Sequence, residues 1–397
     1  MNSLRIKKGG YFTGLILAGV LYVCLMLAGC HTHSNHEEKP LKLWKPAGLS
    51  LDKNLLAFLT SDPSSGSVWV LGVSNTYLQP AVNLPVSVFY SRDTGHTWSY
   101  YNFTGTENYT ADLSSLGADS AWIMIGGLGL MRTTNAGQSW DTICTSLKGN
   151  FIHPWLHFFN PREAVVRFRY RDEHDGLDSI RIFVTNDGGY NWTEVPHRVK
   201  GSEWTMTVGK KLFQVNSASI AFTTEKGNIY LSSDKGRSWK EVFHHSFPDE
   251  LLCSLAMLSE KRMVVSSLGK VSLTKDPKGF DISHARLFYT EDGGINWKRA
   301  DSSAASCPFL FAVPHSDSLC IAASQNTLGS FGIFLSSNGG KTFRTIDSTT
   351  AIQIMGFSSI YQGYGIMNDP SLQMNQLFQW NPEFLFQKGI QKRSSAH

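Results

Sequence analysis

One eight-residue signature recurs six times along the chain and constrains its fold more than any other feature. It stands as Ser91-Arg92-Asp93-Thr94-Gly95-His96-Thr97-Trp98, then Thr133-Thr134-Asn135-Ala136-Gly137-Gln138-Ser139-Trp140. Next come Thr185-Asn186-Asp187-Gly188-Gly189-Tyr190-Asn191-Trp192 and Ser232-Ser233-Asp234-Lys235-Gly236-Arg237-Ser238-Trp239. The last two are Thr290-Glu291-Asp292-Gly293-Gly294-Ile295-Asn296-Trp297 and Ser336-Ser337-Asn338-Gly339-Gly340-Lys341-Thr342-Phe343. An acid or amide at the third position can accept backbone N–H groups just ahead of it. Glycine at the fifth supplies a positive φ at low steric cost. The aromatic at the eighth, Trp or Phe343, has a large apolar surface to bury. A hydrophobic strand precedes each copy and another opens on the aromatic, so each copy reads as a hairpin turn.

From one acid or amide to the next the steps are 42, 52, 47, 58 and 46 residues. Repeats of this length built from short strands mean a propeller or an array. The copies are identified as Asp boxes, and the chain resembles the sialidase-type Asp-box β-propellers over residues 91–343. That superfamily includes sialidases, xyloglucan-degrading glycosidases, sortilin-type receptors and photosystem II assembly-factor-like proteins. The resemblance implies that the box is a structural turn on the outer rim, remote from the ligand site.

The ends of the repeat region set the blade count. Leu41-Lys42-Leu43-Trp44-Lys45-Pro46 alternates like the strand after each box, but no box precedes it. Ile352–Phe357, Tyr361–Met367 and Gln373–Trp380 are strand-like runs with no box after them. Joined, these fragments make one more blade, with the N-terminal run as its outer strand. Such closure protects edges that an open ring would expose. The expectation is an all-β, seven-bladed propeller of four-stranded antiparallel blades over residues 41–385, six of them carrying boxes. Blade 1 uses 55–60, 67–73, 86–90 and 97–101. Blades 2 to 6 occupy 109–145, 152–195, 205–243, 252–299 and 309–346.

Insertions fall between the second and third strands, at 74–85, 171–178, 269–284 and 324–331. Up-and-down connectivity puts these loops on the face opposite the boxes, and scaffolded loops are where binding usually resides. The candidate ligand-face residues are therefore Tyr77, Asp172, Glu173, His174, Asp175, Asp276 and His284.

Residues 1–29 read as an export signal. Arg5, Lys7 and Lys8 precede an apolar stretch from Tyr11 to Met26, which is short and Gly-rich for a permanent span. It ends Leu27-Ala28-Gly29-Cys30, resembling a bacterial lipobox. That resemblance implies cleavage before Cys30 and lipid on its thiol and amine; an uncleaved signal anchor is the alternative. His31 after Cys30 implies outer-membrane sorting. Residues 30–40 form a polar tether and 386–397 a disordered tail. Removing residues 1–29 leaves 33 Lys+Arg against 32 Asp+Glu, a net charge of +1, which offers nothing to nucleic acid.

Cys144, Cys253, Cys307 and Cys320 remain in the exported chain, where disulfides are permitted. Cys307 and Cys320 flank a hairpin and can pair, or can stand as isolated buried thiols. Sialidase chemistry needs an arginine cluster, and the superfamily's Phe/Tyr-Arg-Ile-Pro signature is missing. Arg167, Arg169 and Arg171 share one strand face, read as a solvated stripe paired with neighbouring acids. His153 and His157 lie some 13 Å apart along a strand, too far for one metal ion. The expectations are no metal, no cofactor, a monomer, membrane attachment through the lipid, and a protein or glycan partner for a non-catalytic binding module. The alternative is a cell-surface glycoside hydrolase using two loop carboxylates.

Overall fold

The computed structural model describes Ser3–Leu4 and most of residues 43–381. The main stretches outside that description are 75–83, 172–177, 201–212, 245–250, 269–285, 303–308 and 326–330. The described residues form seven sheets, the blades of an all-β propeller.

Blade 1 comprises Leu55–Asp62, Ser67–Ser74, Val86–Ser91 and Trp98–Phe103. Blade 2 comprises Ala111–Leu116, Ser120–Ile125, Gly129–Thr133 and Asp141–Cys144. Blade 3 has Phe151–Phe158, Ala164–Arg171, Asp178–Thr185 and Thr193–Glu194. Blade 4 has Phe213–Asn216, Ser219–Thr223, Asn228–Ser232 and Lys240–His244. Blade 5 has Leu251–Met257, Met263–Leu268, Arg286–Thr290 and Lys298–Arg299. Blade 6 has Phe309–Ala312, Cys320–Gln325, Phe331–Ser336 and Thr342–Asp347. Short extra strands add to three blades: Ser3–Leu4 to blade 1, Val199–Lys200 to blade 3, and Asp301–Ser302, running parallel, to blade 6.

The seventh blade draws on both ends of the chain. Gln353–Ser359, Gln362–Asp369 and Met374–Trp380 form its inner three strands, and Trp44–Asp52 its outer one, from Trp44 opposite Trp380 to Asp52 opposite Met374. Among the described residues the N-terminal strand starts at Trp44 and continues to Asp52; Leu41 and Lys42 lie outside them. An irregularity between Pro46 and Ser50 interrupts it, with Gly48 at φ +68. An edge strand tolerates both a residue without N–H and a bulge. Blade 4 likewise begins, among the described residues, at Phe213; Thr205 lies outside them.

The core is divided among the seams. Seven hydrophobic clusters each span two adjacent blades, all the way round the ring. Second strands are consequently buried on both faces: Ala121, Trp122, Ile123, Met124 and Ile125 are all fully covered. Innermost strands are bonded to one another. The Leu156 and Phe158 N–H groups of blade 3 donate to Asp112 Oδ2 (2.7 Å) and Ser114 Oγ (2.9 Å) of blade 2. The Leu310 N–H of blade 6 donates to Ser254 Oγ of blade 5 at 3.0 Å.

Candidate functional site

The ring has two unlike faces. In blades 2 to 6 the signature turn donates one backbone N–H to the first hairpin turn of its own blade. Ala136 bonds Asp119 O, Gly188 bonds Arg162 O, Lys235 bonds Ala218 O, Gly293 bonds Lys261 O and Gly339 bonds Ser318 O, each at 2.9 Å. Turns between strands one and two and between strands three and four therefore share one side, the turn face. Connections between strands two and three, and between blades, emerge on the other, the loop face.

The turn geometry repeats with little variation. Thr185 Oγ1 donates to Asp187 Oδ1 (2.8 Å) and accepts the Gly189 N–H (3.2 Å). Asp187 Oδ1 also accepts the Asn191 N–H at 3.0 Å, and Oδ2 accepts Asn191 Nδ2 at 2.7 Å. Asp93, Asp234 and Asp292 are held in the same way. Asn135 and Asn338 keep the acceptor and turn their Nδ2 donors onto Ser139 Oγ and Thr342 Oγ1, each at 2.9 Å. Hydrogen bonds, first from the backbone and then from the side chain of the seventh residue, pull the carboxyls of Asp187 and Asp292 down to about 2.

The first-position hydroxyl was the component that pattern reading missed. Ser91, Thr133, Thr185, Ser232, Thr290 and Ser336 are all buried. Each hydroxyl bridges the third-position side chain and the fifth-position N–H. A hydroxyl at that place in every copy was the available signal.

The fifth glycines stand at φ between +75 (Gly137) and +97 (Gly189). They face the preceding blade: Gly137 lies against Trp69, Gly189 against Leu130, Gly236 against Val165, Gly294 against Val242 and Gly340 against Val264. The aromatics wedge into the same seams. Trp98 Nε1 donates to Gly95 O (3.0 Å) and to Ala47 O (2.9 Å), tying blade 1 to blade 7. Trp297 Nε1 donates to Val242 O of blade 4 at 3.1 Å. Trp192 and Trp239 cap their own glycine carbonyls at 2.9 and 3.0 Å. Trp140 meets Trp69, Tyr101 and Phe103 of blade 1, and Phe343 joins the cluster of blades 5 and 6.

Ion pairs add further ties on the turn face. Glu163 of blade 3 binds Lys235 and Arg237 of the blade 4 turn, which with Asn160 hold its carboxyl at about 2. Arg92 pairs with Asp119, and Ser233 Oγ donates to Glu260 Oε1 at 2.6 Å.

The loop face is framed by strand ends. Ser74 and Val86, Arg171 and Asp178, Leu268 and Arg286, and Gln325 and Phe331 bracket the four insertions. Tyr77, Asp172, Glu173, His174, Asp175, Asp276 and His284 lie outside the described residues, as do Cys30 and Cys307. Blade 2 has only a short turn here, Gly126–Leu128, with Gly127 beneath Tyr109.

One expectation about a single residue changes. Arg167 is buried, in register with Trp155 and Ile182 in the seam of blades 3 and 4, so it does not lie on a solvated face. Burial, then the like charge of Arg169, lowers its guanidinium to about 9. His157 stacks on Trp155 (6.2 Å between centroids) and meets the edge of Phe159 (4.8 Å), which is packing. Among the described residues no three His, Cys, Asp or Glu side chains converge. Cys144 and Cys320 are free, buried thiols.

A profile of the Sortilin-Vps10 family (sortilin, neurotensin receptor 3) matches residues 180–359. The chain is 24% identical over 220 residues to the chloroplastic photosystem II stability/assembly factor HCF136 of Oryza sativa subsp. japonica, covering 50% of this chain and 47% of that one. It is 22% identical over 365 residues to the oligoxyloglucan-reducing end-specific xyloglucanase of Emericella nidulans, covering 77% and 42% respectively. The chain thus spans about half the length, or less, of these curated relatives. Among solved structures it is similar to YCF48 from Cyanidioschyzon merolae, with TM-score 0.56, 16% identity, and coverage of 86% of this chain and 100% of that one. YCF48 bound to D1 peptide gives TM-score 0.54, 14% identity, and coverage of 86% and 96%. At such identities these likenesses establish the propeller fold.

Proposed function

We propose that this chain is a lipid-anchored cell-envelope protein whose Asp-box propeller serves as a non-catalytic binding or assembly platform for a protein partner. One observation carries the reading: the strand ends that bracket the four insertions lie on one face, while the repeated signature occupies the other. A rigid ring with sealed seams and clustered loops suits holding a partner. The similar YCF48 structure bound to a D1 peptide supports a protein client over a glycan. Neither that client nor a photosynthetic role transfers. The lipobox at residues 27–30 supplies the anchor, with outer-membrane sorting implied by His31. In the mature chain of this reading the Ser3–Leu4 pairing is lost and blade 1 keeps four strands.

A second reading, a cell-surface glycoside hydrolase, is favoured by the xyloglucanase match over 77% of this chain. It requires two facing carboxylates in the loop mouth.

Photo-crosslinking from intact cells, with probes placed on each face, tests the platform reading. One protein partner captured from loop-face probes is the expected result. Release of reducing sugars from xyloglucan oligosaccharides, abolished by Asp172→Asn or Asp276→Asn, would replace it with the hydrolase.

A further inference from the structure

We infer that the turn face lies against the lipid surface, so that the loop face looks away from it; this rests on the lipid-anchor reading above. The first observation is where the chain enters the ring. Leu43 O accepts the Asn381 N–H at 2.8 Å, beside the Trp44–Trp380 pair that ends the third strand of blade 7. Ala47 and Gly48 pack on Gly95 and His96, the signature turn of blade 1. The N-terminal strand therefore begins at the turn face and runs toward the loop face.

Chain length makes this directional. Twelve residues lie between Cys30 and Leu43. A flexible coil of that length spans about 20 Å root-mean-square. The nine residues Trp44–Asp52 climb roughly 30 Å from one face to the other. Seating the loop face on the bilayer would stretch the tether well past that relaxed span to recross the height, so tether length favours the turn face as the one that meets lipid.

The second observation is what this face displays. The large hydrophobic side chains most exposed among the described residues are Ile295 (81%) and Tyr190 (57%). They occupy the same, sixth position of two signature turns. Blade 5 lies two steps from blade 7 in one direction, and blade 3 three steps in the other. Anchor and apolar tips thus stand on different sides of the ring, an arrangement that favours seating flat over hanging by its rim. The other sixth positions are His96, Gln138, Arg237 and Lys341, with no acid among the six. Apolar tips among charged side chains, with Arg237 paired to Glu163 and Lys341 to Glu291, fit the headgroup layer of a membrane. The third exposed hydrophobic, Tyr109 (37%), sits on the loop face and serves as control.

The test places benzoylphenylalanine at position 190, 295 or 109 in the full exported chain. Each lipidated product is reconstituted in phosphatidylethanolamine–phosphatidylglycerol vesicles and irradiated. Acyl-chain adducts about tenfold more abundant from 190 and 295 than from 109 are expected, because only side chains within the interfacial layer reach acyl carbons. The N-terminal peptide is read by mass spectrometry in the same samples. Lipid on Cys30 with equal adducts from all three positions, or adducts chiefly from 109, overturns the orientation and leaves the anchor standing. An unmodified Cys30 overturns the anchor and the orientation with it.

Discussion

Replacing the fifth-position glycines one at a time separates the turn's two demands, a left-handed backbone and room for the neighbouring blade. Gly293 and Gly294 are adjacent, at φ +73 and +89. A Cβ on Gly293 would meet nothing closer than Glu260 O at 3.5 Å, an ordinary contact. A Cβ on Gly294 would sit 2.7 Å from Val242 Cβ and 3.0 Å from Val242 O. The second of these is backbone, so it cannot rotate away. The fourth position already tolerates side chains at positive φ, at Thr94, Ala136 and Lys235. Gly293→Ala therefore carries only the left-handed cost of about 1–2 kcal/mol, partly offset by about 0.4–1 kcal/mol from a stiffer unfolded chain. Gly294→Ala adds overpacking of about 1–3 kcal/mol, for a total of about 1–5 kcal/mol.

Urea unfolding followed by tryptophan fluorescence reads the difference. A six-member series provides internal controls, since turn and φ are shared while the neighbour changes. The same substitution should cost most at Gly294 and Gly340, whose neighbours are β-branched. It should cost nearly as much at Gly236, where Val165 Cγ2 would lie 2.9 Å away, and least at Gly95 and Gly137, where the nearest atom is 3.4 Å away. Pairing Gly340→Ala with Val264→Ala, which removes the γ-methyl groups nearest the new Cβ, should recover about 1–3 kcal/mol relative to the sum of the single changes. Equal losses at 293 and 294, or additivity of Gly340→Ala with Val264→Ala, would refute the claim that the blade seam excludes a side chain at the fifth position.

Asp234→Asn should be nearly neutral, because Ser238 can accept from the new amide as Ser139 does from Asn135. Asp187→Asn sets two amide donors face to face across the 2.7 Å bond from Asn191 and should cost about 1 kcal/mol unless Asn191 flips, measured in the same unfolding assay. Folded values of about 2 for Asp187, Asp292 and Glu163 lie below the roughly 4 of an unfolded carboxyl. Their contribution is complete above pH ~4 and lost as pH falls through ~2. Urea midpoints should drop over that window and drop less in Glu163→Gln; a flat profile contradicts the assignment. Ser232→Ala strands the Gly236 N–H and should cost about 1–3 kcal/mol, whereas Ser232→Thr should not. Burial pushes the Cys320 thiol up to about 12, so iodoacetamide should label it in urea and spare it in the folded protein, as peptide mass spectrometry would show.

The blade count was legible because each turn carries its chemistry within eight residues and recurs. The closing blade was legible because Leu41–Pro46 looks like the strand after a box without having one. What escaped depends on neighbours remote in sequence. Glu163 meets Lys235 across 72 residues, and no local pattern announces the pair. Arg167 was misread for a different reason. Alternating charge implies a wet face only where one side of a strand meets solvent, but second strands here are covered on both sides by adjoining blades. The extension of the N-terminal strand past Pro46 was hidden because Pro and Gly ordinarily mark turns.

Repetition and the proposed binding surface belong to different parts of this chain, and the spacing separates them. Blade 2 needs only Gly126–Leu128 between its second and third strands, and the step ending at its turn is the shortest, 42 residues. The longest step, 58 residues, ends in blade 5 and contains residues 269–285 between Leu268 and Arg286. If that length serves a partner rather than the ring, replacing 269–285 with Gly-Gly-Leu should spare the fold. Shortening a 17-residue loop to three reduces the closure entropy by about 1–2 kcal/mol. The thermal midpoint should therefore hold or rise, while partner capture by loop-face crosslinking disappears. A fall in the midpoint with capture intact would make 269–285 a structural element of blade 5 and move the search for the binding surface to the loops of blades 1, 3 and 6.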